Sequence, residues 1–287
     1  MRVLITGANG QLGTDLMAEC AKRGIETIGT DVKEMDITNL QAVDTVMKAK
    51  MQETPYDAVI HCAAYVAVDK AEDEPELVRR VNADGTRNIA RLCKELDVPM
   101  MYISTDYVFD GEGTEPWQPD NLDRRPLNVY GQMKYEGELA VEELVEKFFI
   151  VRISWVFGVH GNNFVKTMIR LGKERGAVSV VNDQIGSPTY TPDLARLLVD
   201  MIQTDKYGRY HACNEGIISW YEYACEIFRQ AGMPDVKVTP VTSDAFPAKA
   251  KRPHNSRMDT GKLETAGFKK LPTWQDALGR YMAEIEK

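Results

Sequence analysis

Arg2-Val3-Leu4-Ile5-Thr6-Gly7-Ala8-Asn9-Gly10-Gln11-Leu12-Gly13 decides the fold. The first five residues form a β-rich run that reads as a strand. Gly7, Gly10 and Gly13 then permit a tight turn. From Gln11 apolar residues recur at helical spacing to Arg23, and Gly24 stops them. A glycine turn between a strand and a helix is a site for a dinucleotide pyrophosphate. Its backbone N–H groups can approach phosphate closely, and the helix N-terminus adds partial positive charge. Gly7, Gly10, Gln11, Leu12 and Gly13 are therefore expected to hold a nicotinamide dinucleotide, although the spacing is G-x-x-G-x-x-G and not G-x-G-x-x-G.

Outward from this turn the alternation continues. Strands are predicted at 26–31, 57–63 and 99–105, and helices at 39–51, with Thr38 as N-cap, and at 75–96. Such alternation implies parallel βαβ units. Residues 110–128 hold Gly111, Gly113, Pro116, Pro119 and Pro126 without apolar periodicity, so they form a loop long enough to be functional. A helix carrying Lys134 to about Lys147 and a strand at 148–154 follow. Beyond lie helices at 163–175, 193–203, 220–231 and 273–286, and strands at 178–181 and 208–214, the last able to rejoin the main sheet. The predicted architecture is α/β: a Rossmann-type doubly wound parallel sheet over 1–158, with a return segment near 189–214. A smaller interleaved substrate lobe would occupy 159–188 and 215–287.

The chemistry gathers at strand ends and on one helix. Tyr130 and Lys134 are one helical turn apart and share a face. Free tyrosine titrates near 10, and a neighbouring ammonium would stabilise the phenolate and lower that value. Lys134 could also hold the nicotinamide ribose. Ser104 and Thr105 end the fourth strand on the rim of the glycine turn, where their hydroxyls can reach a bound carbonyl. Asp31 ends the second strand, where an acid bonds the adenosine ribose; Lys33, two residues on, could meet a 2′-phosphate, so NADPH and NADH both stay open. Asp36 and Ile37 lie where a loop could cover adenine. Ala63, Ala64 and Tyr65 end the third strand and let the cofactor pass near the backbone. These groups together would move a hydride from nicotinamide and a proton from tyrosine onto a carbonyl.

Composition narrows the class. The chain has 287 residues, 44% hydrophobic and 27% charged, enough for a full soluble core. A net charge of -8 argues against a general nucleic-acid binder. Five scattered cysteines without C-x-x-C spacing and four separated histidines suggest neither a disulfide framework nor a zinc site. No signal peptide and no apolar run of ~20 residues is visible, so a cytoplasmic location away from membranes is expected.

The chain resembles an extended short-chain dehydrogenase/reductase and, more narrowly, the dTDP-4-dehydrorhamnose reductase family. The resemblance runs in order along nearly the whole chain. It is carried by Gly7 to Gly13, by Ala63-Ala64-Tyr65-Val66-Ala67-Val68-Asp69-Lys70-Ala71-Glu72 and by Ser104-Thr105-Asp106-Tyr107-Val108-Phe109. It continues in Pro126-Leu127-Asn128-Val129-Tyr130-Gly131, Arg152-Ile153-Ser154-Trp155-Val156, Gly161-Asn162-Asn163-Phe164 and Asp183-Gln184-Ile185-Gly186-Ser187-Pro188-Thr189. Arg252-Pro253 and Asn255-Ser256-Arg257 complete it. It implies reduction of the C4 ketone of dTDP-4-dehydro-β-L-rhamnose to dTDP-β-L-rhamnose, the last step of dTDP-L-rhamnose synthesis. Tyr130 would donate the proton, Lys134 would position the cofactor, and Thr105 would bond the reacting oxygen. Asp106, Tyr107, Trp155, Asn163, Gln184 and Arg252 would contact the dTDP-sugar, Arg252 through its guanidinium fork on diphosphate.

Some members of the family form magnesium-bridged dimers through acidic side chains. No such ligands map onto Asp15 or its neighbours, so a homodimer stays open and no metal is expected. The alternatives are another nucleotide-sugar epimerase or dehydratase, or a non-catalytic regulatory subunit of a methionine adenosyltransferase. Asp106 without an adjacent Glu weighs against dehydration, and an intact Thr105, Tyr130 and Lys134 weigh against a regulatory role.

Overall fold

Apolar runs of four to six residues build the centre of the molecule. The computed structural model describes residues 1–245 and 248–285. Six strands, β1 (Arg2–Thr6), β2 (Glu26–Thr30), β3 (Ala58–His61), β4 (Met100–Thr105), β5 (Phe148–Ile153) and β6 (Gly208–His211), form one sheet. Every pairing in it is parallel, in the order β6-β5-β4-β3-β1-β2. The inner strands are buried on both faces, as a parallel sheet requires. Leu12, Leu16 and Cys20 of the helix Gln11–Lys22 pack on one face with Leu194 and Leu198 of the helix Thr191–Ile202. Val43, Met47, Ile89 and Val141, from the helices Leu40–Glu53, Gly85–Glu95 and Val129–Leu144, cover the other. The sheet is the doubly wound α/β sheet expected, and the segment near 208 does rejoin it, beside β5. The strand order reverses at β1, so a crevice opens beyond the strand ends where the glycine turn lies.

A separate aromatic core, with Phe157, Tyr190, Tyr223, Phe228, Trp274 and Tyr281, organises the C-terminal part. It is built on the helices Phe164–Arg175, Trp220–Gln230 and Trp274–Ile285 and on the parallel pair Ala177–Val181 and Lys237–Val241. The expected last helix included Glu286, which lies outside the described residues.

Four local expectations are corrected. The helix predicted over 75–96 is interrupted: Pro75–Val78 is α, Arg79–Asp84 is a π-turn, and Gly85–Glu95 is α again. The widened turn presents Asn82, whose amide accepts from Tyr65 N at 2.8 Å and donates to Tyr65 O at 2.9 Å. Such bulges recur at functional sites, and this one holds the backbone after β3 in place. Asn39, not Thr38, caps the next helix, accepting from Ala42 N, because Thr38 instead bonds Asp36 through its amide and hydroxyl. The helix bearing Tyr130 ends at Leu144, short of Lys147. The predicted strand 208–214 splits: Asn214–Glu215 leaves the sheet to pair with Leu271–Thr273. Residues 110–128 carry no helix or extended strand, as expected, and Trp117 bridges to Met258.

Candidate active site

The glycine turn is shaped by contacts that no side chain could replace. Gly7 has φ +67°, and a Cβ there would lie 2.8 Å from the Ala63 backbone. A Cβ on Gly13 would lie 2.1 Å from the Gly7 carbonyl oxygen. β1 and the end of β3 therefore meet backbone to backbone, which explains the small residues at 63 and 64. The following helix starts at Gly10 with no side chain capping it and no acid in its first turn. Its leading N–H groups point outward without a side-chain acceptor, as a pyrophosphate site requires.

Three cavities run in series from this turn. The first, about 650 Å³, is lined by Asp31, Asp36, Ile37, Ala63, Ala64 and Tyr65, with Arg80 on its wall. The second, about 420 Å³, shares Gly7, Gly10, Cys62 and Ala64 with it and contains Gln11, Leu12, Gly13, Ser104, Thr105, Asp106, Tyr130, Lys134 and Trp155. The third, about 640 Å³, shares Tyr107 and Trp220 with the second and is walled by Phe164, Arg175, Val178, Gln184 and Arg252. A two-part ligand system thus fits: one molecule from the first cavity into the second, another from the third.

Tyr130 lines the second cavity beside Tyr107, which borders both the second and the third. Asn128 caps its helix, accepting from Gly131 N at 2.8 Å, and Gly131 permits contact with the Tyr107 carbonyl, where a Cβ would clash at 2.3 Å. The Tyr107 and Tyr130 rings meet edge-on, 5.7 Å between centroids. Thr105 is buried; its hydroxyl donates to Asp106 Oδ1 at 3.0 Å and accepts from Tyr107 N. Burial pushes the Asp106 carboxyl up to about 6, against the hydroxyls of Ser256 and Thr105. The Tyr130 phenol is raised well above its ordinary value by burial and by Asp106, with Thr105 opposing.

The phenol is raised here, not lowered as expected of Lys134. The Lys134 ammonium is turned away, donating to Ile103 O at 2.7 Å and lying 4.1 Å above the Tyr102 ring. Burial pushes Lys134 down to about 7, with Glu138 and Cys62 opposing.

Glu138, one further turn along the same face, was missed by the sequence reading. Its fully buried carboxylate accepts two bonds from Arg152 at 2.8 Å and one from Arg124 at 2.9 Å. Arg152 also donates to Pro119 O at 3.0 Å. The helix bearing Tyr130, strand β5 and the loop 110–128 are thereby pinned together. The four-residue spacing of Tyr130, Lys134 and Glu138 on one helical face was the available signal. His61 bonds Thr6 and Thr86 inside the core, and burial with Lys134 holds it neutral, down to about 3.

The substrate-side residues diverge. Trp155 adopts φ +48°, an uncommon conformation for a bulky side chain, and its ring stacks on Trp220 with 3.8 Å between centroids. Trp220, which borders two cavities, was read only as the start of a helix. Gln184 lines the third cavity and donates to Ser243 Oγ at 2.9 Å. Arg252 lines it too, its guanidinium bonding Asp69 at 2.7 and 3.0 Å. Asn163 is corrected: its amide caps the helix Phe164–Arg175 and donates to Gly158 O at 2.7 Å, while Asn162 reaches the cleft wall.

The chain is similar to known proteins along its whole length. The family model described as RmlD substrate binding domain matches residues 1–287. The dTDP-4-dehydrorhamnose reductase of Escherichia coli strain K12 is 38% identical over 99% of this chain and 98% of its own length. A crystal structure of dTDP-4-dehydrorhamnose reductase from Bacillus anthracis str. Ames in complex with NADP is 47% identical, with TM-score 0.93 and 99% of each chain covered. The dTDP-4-dehydrorhamnose reductase ortholog of Clostridium acetobutylicum is 43% identical, with TM-score 0.95 and full coverage of both chains.

Proposed function

This chain belongs to the RmlD substrate binding domain family, and on that premise we propose that it reduces the C4 ketone of dTDP-4-dehydro-β-L-rhamnose to dTDP-β-L-rhamnose. It is an NAD(P)H-dependent oxidoreductase of dTDP-rhamnose biosynthesis. The observation that carries the reading is the seam: Thr105, Tyr130 and Lys134 stand in one cavity between the glycine turn and the third cavity. Residues 1–158 with the return segment near 189–214 serve as the cofactor half, and 159–188 with 215–287 as the substrate lobe.

The cofactor half fits a nicotinamide dinucleotide, because Gly7 and Ala63 leave room for backbone approach and the first helix keeps its N-terminus uncapped. When bound, NADPH or NADH supplies the hydride. Gly7, Gly10 and the amides of Gln11, Leu12 and Gly13 hold the pyrophosphate. Asp31, Asp36, Ile37, Ala63, Ala64 and Tyr65 border the adenosine, and Ser104 and Lys134 border the nicotinamide ribose.

Tyr130 Oη donates its proton to the C4 oxygen as that oxygen gains charge. Its raised pKa keeps the phenol protonated in the resting enzyme. The Thr105 hydroxyl orients the same oxygen, and Asp106 holds Thr105. Lys134, when protonated, stabilises the phenolate left behind once it turns from the Ile103 carbonyl. Tyr107 and the stacked Trp155 and Trp220 offer apolar faces to the deoxysugar. Gln184 and Arg252 face the dTDP portion, and Arg252 exchanges Asp69 for diphosphate oxygens. The enzyme acts in the cytoplasm, and a homodimer remains compatible with this reading.

The test is oxidation of NADH or NADPH at 340 nm with dTDP-4-dehydrorhamnose made in situ. Substrate-dependent oxidation yielding dTDP-rhamnose supports the assignment. Nucleotide binding without oxidation would point to a different sugar or to a regulatory role.

A further inference from the structure

A buried ammonium needs an opposite charge nearby, and most of the groups around Lys134 supply none. Its bond at 2.7 Å goes to the uncharged carbonyl of Ile103, and the Tyr102 ring lies beneath it. Burial pushes the Cys62 thiol, just after β3, up to about 12, so it stays neutral. His61 of β3 is also neutral, and burial raises the Tyr102 and Tyr130 phenols well above their ordinary range. Of the groups that bear on Lys134, Glu138 alone is ionised near neutrality. Burial pushes the Glu138 carboxyl up, but Arg152, Ser104 and Arg124 together bring it below its ordinary value.

The carboxylate is completed from three elements. Glu138 lies one helical turn after Lys134 and two after Tyr130, on the same face. Arg152 Nε and Nη2 from β5 each donate to it at 2.8 Å, and Arg124 Nη1 from the loop donates at 2.9 Å. Arg152 is in register with Ser104 across the β4–β5 pair, so the bridge ties the face bearing Tyr130 to the strand end bearing Ser104 and Thr105. Gly137 permits this approach: a Cβ there would lie 2.4 Å from Tyr102 Oη. Fully buried ion pairs seldom add net stability over apolar packing of the same shape. The place of this one, beside the reacting pair, therefore points to the chemistry.

We propose, resting on the reading of Tyr130 and Lys134 as the reacting pair, that Glu138 is a positioning residue. Its buried carboxylate, fixed by Arg152 and Arg124, keeps the Lys134 ammonium charged until it turns toward Tyr130 and the nicotinamide ribose. Glu138 lines none of the three cavities, so it acts through Lys134 and not on a ligand.

The charge on Lys134 can be read in the full chain, without cofactor or sugar, by nuclear magnetic resonance. The pH titration of its ε-carbon is followed in protein carrying isotopically labelled lysine, the signal being identified by its loss in Lys134→Met. The midpoint should lie near pH 7 in the unmodified protein. Glu138→Gln should lower it by about one pH unit, as loss of an opposite charge one helical turn away predicts, and Glu138→Asp should leave it nearly in place. Because Glu138→Gln strands the buried Arg152 guanidinium, Glu138→Leu combined with Arg152→Met is measured beside it. That double variant removes both charges together, leaves Arg124 paired with Glu142, and should also lower the midpoint. The alkaline fall in kcat/KM should move with the midpoint: at pH 7 the charged fraction drops from about half to roughly one tenth, and the rate by about fivefold. A lowered Tm with an unmoved Lys134 midpoint would make Glu138 a structural clamp alone and overturn the proposal. A moved midpoint with an unmoved rate profile would overturn its link to the reaction. No turnover in the unmodified protein, with the midpoint shift intact, would overturn the reductase reading and leave the coupling of Glu138 to Lys134 standing.

Discussion

The glycine turn and the third cavity are the two surfaces proposed to bind ligand, and they are made in opposite ways. The turn is backbone from two short segments, seven residues after β1 and the end of β3, fitted so closely that a single Cβ would break it. The third cavity is side chain from distant segments: Tyr107, Gln184, Trp220 and Arg252, each steadied by a partner elsewhere in the chain. Backbone recognition tolerates little change and reads a part common to many ligands. Side-chain convergence tolerates more and reads what is particular to one. Tyr130 lies between the two, so its loss should affect neither surface and yet remove the reaction.

That contrast can be broken most decisively at the seam. Tyr130→Phe should cut turnover by roughly 10² or more while nucleotide affinity, followed by fluorescence titration, stays near its starting value. Near-normal turnover would reassign the proton donor. Gly13→Ala drives a Cβ into the Gly7 carbonyl, and overpacking of this kind costs about 1–3 kcal/mol. Calorimetry should show NADH binding weakened by roughly tenfold or more, together with a lowered Tm. Unchanged binding would mean that the turn relaxes and is not the rigid surface described.

The pH dependence sharpens the account of Lys134. Burial lowers it to about 7, so the free enzyme loses this cation as pH rises through that value. A rate that needs the cation should therefore fall above about pH 7 in kcat/KM, which reports the free enzyme. The stability effect has the opposite sign. The unfolded chain binds the proton up to the ordinary lysine range, so this group's contribution to stability rises with pH between about 7 and that range. A flat kcat/KM profile from pH 7 to about 9 would show that the reaction does not depend on the Lys134 cation of the free enzyme.

Smaller effects belong to the side-chain surface. Trp220→Ala removes the ring stacked on Trp155 and should raise KM for the sugar substrate by roughly threefold to tenfold, with nucleotide affinity little changed. A fall in nucleotide affinity instead would place Trp220 on the cofactor side. Asp69→Ala frees Arg252 from a half-exposed ion pair, and such pairs contribute about 0–1 kcal/mol. The change in KM should stay below about fivefold, and a larger one would show that Asp69 holds Arg252 in place for the substrate.

Much of the cofactor side was legible because it depends on neighbours in sequence. The glycine turn, the strand ends at Ser104-Thr105 and Ala63-Ala64, and the pair Tyr130 and Lys134 each lie within one strand–turn or one helical turn. The direction in which Lys134 points was not legible, since it depends on the Ile103 carbonyl and the Tyr102 ring brought by β4. The π-turn at Arg79–Asp84 was equally hidden: its pattern is helical, and the widened turn is set by Asn82 meeting Tyr65 across the crevice. Asn163 looked like a sugar ligand within its motif, but its own helix uses the amide as a cap.

The sequence by itself determined the doubly wound sheet and the glycine turn, and it placed the groups proposed to react on one rim. Hydrophobic periodicity and glycine spacing act over a few residues, so they are written locally. Tertiary structure alone decided which charges touch. Glu138 meets Arg152 and Arg124 only because a helix, a strand and a loop converge on one buried point. It likewise decided that Trp155 stacks on Trp220. Electrostatic and packing energies depend on distance and burial in space, which no spacing along the chain records.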